Sequence, residues 1–114
     1  MKVLATVAVL VAAVAAFAVG PALGASAPKK TIAVTDFQFT PKTVTVKKGT
    51  KVTWKWEHTQ STHNVVVQSG PKKFKSKILG SGSFSQTLTK PGTYKIVCTL
   101  HIDVGMTETI IVKK

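Results

Sequence analysis

Arginine is missing from this 114-residue sequence: the sixteen basic residues are all lysine, and only four acidic residues oppose them. Without a planar guanidinium, bidentate reading of phosphates or base edges is disfavoured, so nucleic acid is not an expected partner. The scarcity of carboxylates leaves a formal net charge of +12. Such a surplus suits attraction to an acidic protein or to an anionic membrane surface, with plain solubility as the competing use. Only one cysteine is present, Cys98, so no disulfide within the chain can form and the thiol needs another explanation. Beyond the first 27 residues there is no apolar run of helical period, no internal repeat and no low-complexity tract. The length allows one small domain and is too short for two separate cores.

The N-terminus differs from the rest. Lys2 precedes an almost unbroken apolar run from Val3 to Val19, followed by Gly20-Pro21 and the small residues Ala22 to Ala27. This is the order of a secretory leader, with Ala25-Ser26-Ala27 as a small-x-small cleavage pattern. The expected division is a leader over 1–27 and a folded domain over 28–114. An uncleaved anchor is the alternative, because the run approaches the roughly 20 residues that span a bilayer. Cleavage removes only the charge of Lys2 and leaves the domain strongly basic. The expected location is extracytoplasmic, as in a periplasm, either free or membrane-associated.

The remainder reads as an all-β chain. Short β-branched and aromatic runs at Thr31–Phe37, Thr43–Lys47, Lys51–Trp56, Asn64–Gln68, Ser83–Leu88, Thr93–Cys98 and Thr107–Val112 predict seven strands and a two-sheet sandwich. In the third run Val52, Trp54 and Trp56 share one face and Lys51, Thr53 and Lys55 the other, so both tryptophans are assigned to the core. Lys48-Gly49 and Pro91-Gly92 supply turns, the latter with glycine at the position that needs positive φ. Ser69 to Gly82, with Lys72, Lys73, Lys75 and Lys77, is read as a long surface connection containing at most one helical turn.

The stretch Cys98-Thr99-Leu100-His101-Ile102-Asp103-Val104-Gly105-Met106 places a thiolate, an imidazole and a thioether in one strand and the loop after it. These are soft ligands suited to copper. Alternation puts Tyr94, Ile96 and Cys98 on the inward face, aiming the sulfur at one end of the core. A trigonal site needs a second imidazole, and His63, heading His63-Asn64-Val65-Val66-Val67, is the best placed. His58 is read as a solvated loop residue.

The C-x-x-H-x-x-x-x-M loop with the upstream His-Asn-Val-Val resembles the cupredoxins, in particular their plastocyanin and pseudoazurin branch. The opening pattern Phe37-x-Phe39-x-Pro41-x-x-Val44-x-Val46-x-x-Gly49-x-x-Val52-x-Trp54 carries the same resemblance, which covers essentially the whole domain. It implies a Greek-key β-sandwich of seven to eight strands. It also implies one copper ion held by His63, Cys98 and His101 with Met106 as a long axial ligand, and Asn64 tying the two ligand loops together.

By the same resemblance the domain is expected to be an electron carrier rather than an enzyme, cycling between Cu(I) and Cu(II); its lysine-rich surface suits an acidic redox protein as partner, and a charged monomer is the expected state. The electron port would be the edge of His101, rimmed by Leu100, Ile102 and Val104. Storage or delivery of copper outside the cytoplasm is the alternative the same ligands allow. Two positions depart from the family: Leu100 stands where proline is usual and Glu108 where glycine is usual. Leucine restrains the loop less than proline would, which predicts easier release of His101 from reduced copper in acid. Glu108 and Asp103 are expected to put charge near the site. A Cys-His hydrolase would need the base beside the sulfur, an orienting group and an oxyanion hole in a cleft, which a small all-β chain with Met106 in register does not suggest, and zinc prefers a stronger fourth ligand than methionine.

Overall fold

The computed structural model describes residues 27–114; the apolar run read as a leader lies outside the described residues. Eight strands form: β1 (Lys29–Thr35), β2 (Gln38–Thr40), β3 (Thr43–Lys47), β4 (Thr50–Trp56), β5 (Val66–Ser69), β6 (Ser83–Leu88), β7 (Gly92–Val97) and β8 (Thr107–Lys113). They pair in two four-stranded sheets, β2-β1-β4-β6 and β3-β8-β7-β5. Each sheet contains one parallel pair, β1 with β4 and β3 with β8. The all-β expectation holds; among the described residues the only helical element is a 3-10 turn over Ile102–Val104.

Alternation explains how the layers close. In β4, Thr50, Val52, Trp54 and Trp56 are buried while Lys51 and Lys55 are exposed. Ile32 and Val34 from β1, Leu88 from β6, Tyr94 and Ile96 from β7, and Ile110 and Val112 from β8 complete the interior. Burying one such side chain contributes roughly 1.5–3 kcal/mol, and most strands supply at least two. The two sheets are therefore held by side chains the period-2 pattern already assigns inward.

Three segments differ from expectation. The first strand ends at Thr35 rather than Phe37: the chain turns at Asp36 and Phe37, where Phe37 adopts φ 69° and lies 48% exposed. The three-residue β2 then places Phe39 in the core. The fourth predicted run begins pairing at Val66, leaving His63 and Asn64 ahead of the strand. Residues 69–82 hold no helical turn; they double back along β5, with bridges at Val66–Lys75 and His63–Leu79.

At the start of β7, Gly92 adopts φ 139°, and a Cβ there would stand 2.6 Å from Pro71 Cγ. Left-handed strain and overpacking both oppose a side chain at this point. Gly92→Ala is expected to cost about 2–4 kcal/mol, read from the midpoint of denaturant unfolding.

Strand direction defines two ends. β7 finishes at Val97 and β8 begins at Thr107, and Cys98 N–H donates to Met106 C=O at 3.1 Å, closing that end. β1 and β4 finish at the same end, with Asp36 and Glu57 just beyond them. The opposite end holds the β3–β4 and β6–β7 turns, the start of β1 and the C-terminus.

Candidate metal centre

Cys98 follows the last residue of β7 and is fully buried, its sulfur pointing along the core as the alternation of Tyr94 and Ile96 requires. His63 is anchored just before β5, where His63 N–H donates to Leu79 C=O and Leu79 N–H returns to His63 C=O, both at 2.9 Å. His101 sits on the tight loop after Cys98, its N–H donating to Cys98 C=O at 3.2 Å.

These segments bring three donor atoms together. His63 Nδ1 and His101 Nδ1 are 3.2 Å apart, and Cys98 Sγ lies 3.5 Å from His101 Nδ1 and 3.9 Å from His63 Nδ1. Atoms each bonded to one ion at about 2.0–2.3 Å stand about 3–4 Å from one another, so the cluster fits a shared metal. Among the described residues, His63, Cys98 and His101 form the group of metal-binding side chains so arranged. Met106 is fully buried, and its N–H donates to His101 C=O at 3.2 Å. His58 is exposed and outside the cluster, as expected.

Asn64 joins the two ligand-bearing segments. Its amide Nδ2 donates to Thr99 Oγ1 and its Oδ1 accepts from Thr99 N–H, both at 2.9 Å. Paired bonds of this kind continue the link between the two segments beyond the last β5–β7 pair, Val66 with Val97.

Asp36 is the residue sequence reasoning missed. Its Oδ1 accepts from His63 Nε2 at 2.8 Å, while its two oxygens accept from the N–H groups of Gln60 and Ser61. The Gln60 N–H, and after it the His63 imidazole, hold the Asp36 carboxyl below its ordinary value. An ionised carboxylate here assigns the His63 proton to Nε2 and leaves Nδ1 bare, the tautomer a metal ligand requires. Phe37, beside it, packs edge-on against His101 with ring centroids 4.9 Å apart.

Glu108 is mostly protonated at neutral pH and so puts little charge at this end, contrary to expectation. It is 1% exposed on the inward face of β8, and Trp54 Nε1 donates to its Oε1 at 2.9 Å. Burial pushes its carboxyl up to about 8, against the opposing pull of the Trp54 bond and the Lys42 charge. Leu100, Ile102 and Val104 are exposed beside the half-buried His101.

Comparison with known proteins agrees with this geometry. Residues 27–113 match the model for copper binding proteins of the plastocyanin/azurin family. A halocyanin from Natronomonas pharaonis is 35% identical over 80 residues; the match covers 68% of this chain and only about half, 49%, of that relative. Among solved structures, auracyanin from Roseiflexus castenholzii is 25% identical with a TM-score of 0.64, covering 79% of this chain and all (100%) of that one. A copper-containing nitrite reductase from Thermus scotoductus is 28% identical with a TM-score of 0.68, over 90% of this chain but 25% of that one. The chain belongs to the plastocyanin/azurin family of copper-binding proteins.

Proposed function

We propose that this protein carries single electrons outside the cytoplasm, with residues 1–27 directing export, residues 28–114 forming the copper domain, and one copper held by His63, Cys98, His101 and Met106. The observation behind this reading is the convergence of two imidazole nitrogens and a buried thiol within 3.9 Å. Copper supplies a one-electron couple, and these residues do the rest. Asp36 and the Asn64–Thr99 pair hold the ligands against movement, the buried core excludes water from Cys98 and Met106, and His101 alone reaches the surface. Rigid donors that need not rearrange between oxidation states lower the barrier to electron transfer.

The exposed Phe37, Leu100, Ile102 and Val104 form an apolar collar around His101. Such a collar suits transient docking of a redox protein. Lys72, Lys73, Lys75 and Lys77 on the flank beside β5 attract an acidic partner to a monomeric carrier, at a rate that falls as salt screens them.

The test is the visible and electron paramagnetic resonance spectrum of the copper-loaded protein through reduction and reoxidation. An intense thiolate-to-copper band with narrow hyperfine splitting, bleaching and returning, is expected. A pale, tetragonal signal would overturn the electron-carrier reading and favour copper storage or delivery. Asp36→Ala is expected to weaken copper retention about 10–100-fold in a chelator competition, and Asp36→Asn by less, because the amide oxygen still accepts from His63 Nε2.

A further inference from the structure

We infer that the end of the sandwich opposite the candidate copper centre is a seat for an anionic lipid surface, which turns the metal end away from the membrane. The inference rests on the proposed extracytoplasmic location only for where lipid is met, since it uses none of the copper ligands.

The four acidic side chains gather at one end of the sandwich, and a cluster of lysines without acids occupies the other. Lys29 and Lys30 open β1, Lys47 and Lys48 lie at the β3–β4 turn, and Lys51 follows in β4. Lys90 occupies the β6–β7 turn, and Lys113 and Lys114 end the chain. Backbone bonds gather these segments at one end: Lys48 N–H to Lys113 C=O at 3.1 Å, Gly49 N–H to Leu88 C=O at 2.7 Å, and Lys51 N–H to Pro28 C=O at 2.9 Å. No carboxylate side chain joins them. Asp36, Glu57, Asp103 and Glu108 all lie at the copper end, beyond β1 and β4 or between the end of β7 and the start of β8. A seven-residue strand is about 23 Å long, and at physiological ionic strength charges are screened over about 8 Å, so the distant acids do not cancel the basic end.

A lipid surface fits this end better than a protein does. Protein docking draws on an apolar or aromatic centre within a polar rim. The exposed Phe37, Leu100, Ile102 and Val104 are all at the copper end, Ile78 is in the segment returning beside β5, and Ile111 is on an outer sheet face. What the basic end offers is diffuse charge spread over turns of both sheets, the feature that polybasic segments present to anionic headgroups. The polypeptide also enters the fold here: Pro28 lies at this end, and the apolar sequence from Val3 to Val19 precedes it. Where that sequence is kept as an anchor, the basic end is the one held nearest the bilayer.

The test measures flotation of the protein with vesicles of phosphatidylcholine alone and of phosphatidylcholine mixed with phosphatidylglycerol. Residues 28–114 serve, because all eight strands and the whole described core lie within 29–113; the full chain is run in parallel. Binding to the mixed vesicles only, weakening with salt, is expected. The triple variant Lys47→Glu, Lys48→Glu, Lys90→Glu is expected to lose on the order of a hundredfold in vesicle affinity. A triple with the same charge change elsewhere, Lys55→Glu, Lys75→Glu, Lys77→Glu, is expected to lose less than about a third as much on a logarithmic scale. The corresponding glutamine triples repeat the comparison without charge reversal, and thermal melts confirm that each variant is folded. Equal losses in the two triples, or no preference for the anionic vesicles, would overturn the inference. Capture of an acidic protein by this end without vesicle binding would do the same. A normal blue spectrum alongside failed vesicle binding separates loss of this inference from loss of the electron-carrier reading.

Discussion

In Cys98→Ser the intense visible band is expected to disappear and copper affinity to fall by more than about a hundredfold, since losing even an outer partner of a ligand costs about 10–100-fold. The sulfur is the one donor at this site that forms a strongly coloured, covalent bond with copper, and a hydroxyl neither ionises nor binds copper in the same way. The fold itself is expected to survive. Serine fits the space of the thiol and leaves one buried hydroxyl short of partners, at about 1–3 kcal/mol. The variant should therefore melt cooperatively at a lower temperature while remaining colourless with copper present. Optical titration and a thermal melt on one preparation check both parts. If colour and affinity persisted, Cys98 would be a structural thiol, and the His63–His101 pair would have to be explained without it.

Glu108 gives the second large effect, on stability. Its folded carboxyl titrates near 8 against an ordinary value of 4.5, so the folded state binds the proton more tightly than the unfolded chain does. The resulting contribution is fully present below about 4.5 and is lost as pH rises through about 8. At about 1.4 kcal/mol per pH unit, the loss approaches about 5 kcal/mol, a large share of the 5–15 kcal/mol typical of a domain. Glu108→Gln should flatten this dependence. The amide oxygen still accepts from Trp54 Nε1, and nothing is left to ionise in the core. Denaturant unfolding across the pH range should show the wild type weakening into alkali and the variant holding nearly constant, the two curves separating by several kcal/mol above about pH 9. Parallel curves would mean that the folded protein hydrates Glu108 far better than its 1% exposure suggests.

The parts of this molecule legible in the sequence are those set by short-range periodicity. The inward set Val52, Trp54 and Trp56 and the inward aim of Cys98 follow from a period of two, and the spacing from Cys98 to Met106 is local. Glu108 could have been placed by the same rule, because it shares its face with the buried Ile110 and Val112. The role of Asp36 was beyond that rule. It partners His63 across 27 positions, and only because the chain turns at Phe37 with a positive φ, where an aromatic in an apparently continuous run gave no sign of a break. The return of residues 74–79 along β5 was hidden for a similar reason: its bridges are isolated, and its apolar residues Phe74, Ile78 and Leu79 do not alternate with polar ones as a strand requires.

The parallel pairing of β3 with β8 sets the order of events in the life of the molecule. Thr43 finds its partner only in Thr109, and the same closing strand brings Met106 beside Cys98. Contacts between such distant parts of a chain form late and slowly. With Met106 as the proposed fourth ligand, a polypeptide still being made, with its last dozen residues held back, has no complete copper pocket. Metal acquisition becomes a late, post-assembly event, and a free copper ion meets either a finished receptor or scattered side chains with little claim on it.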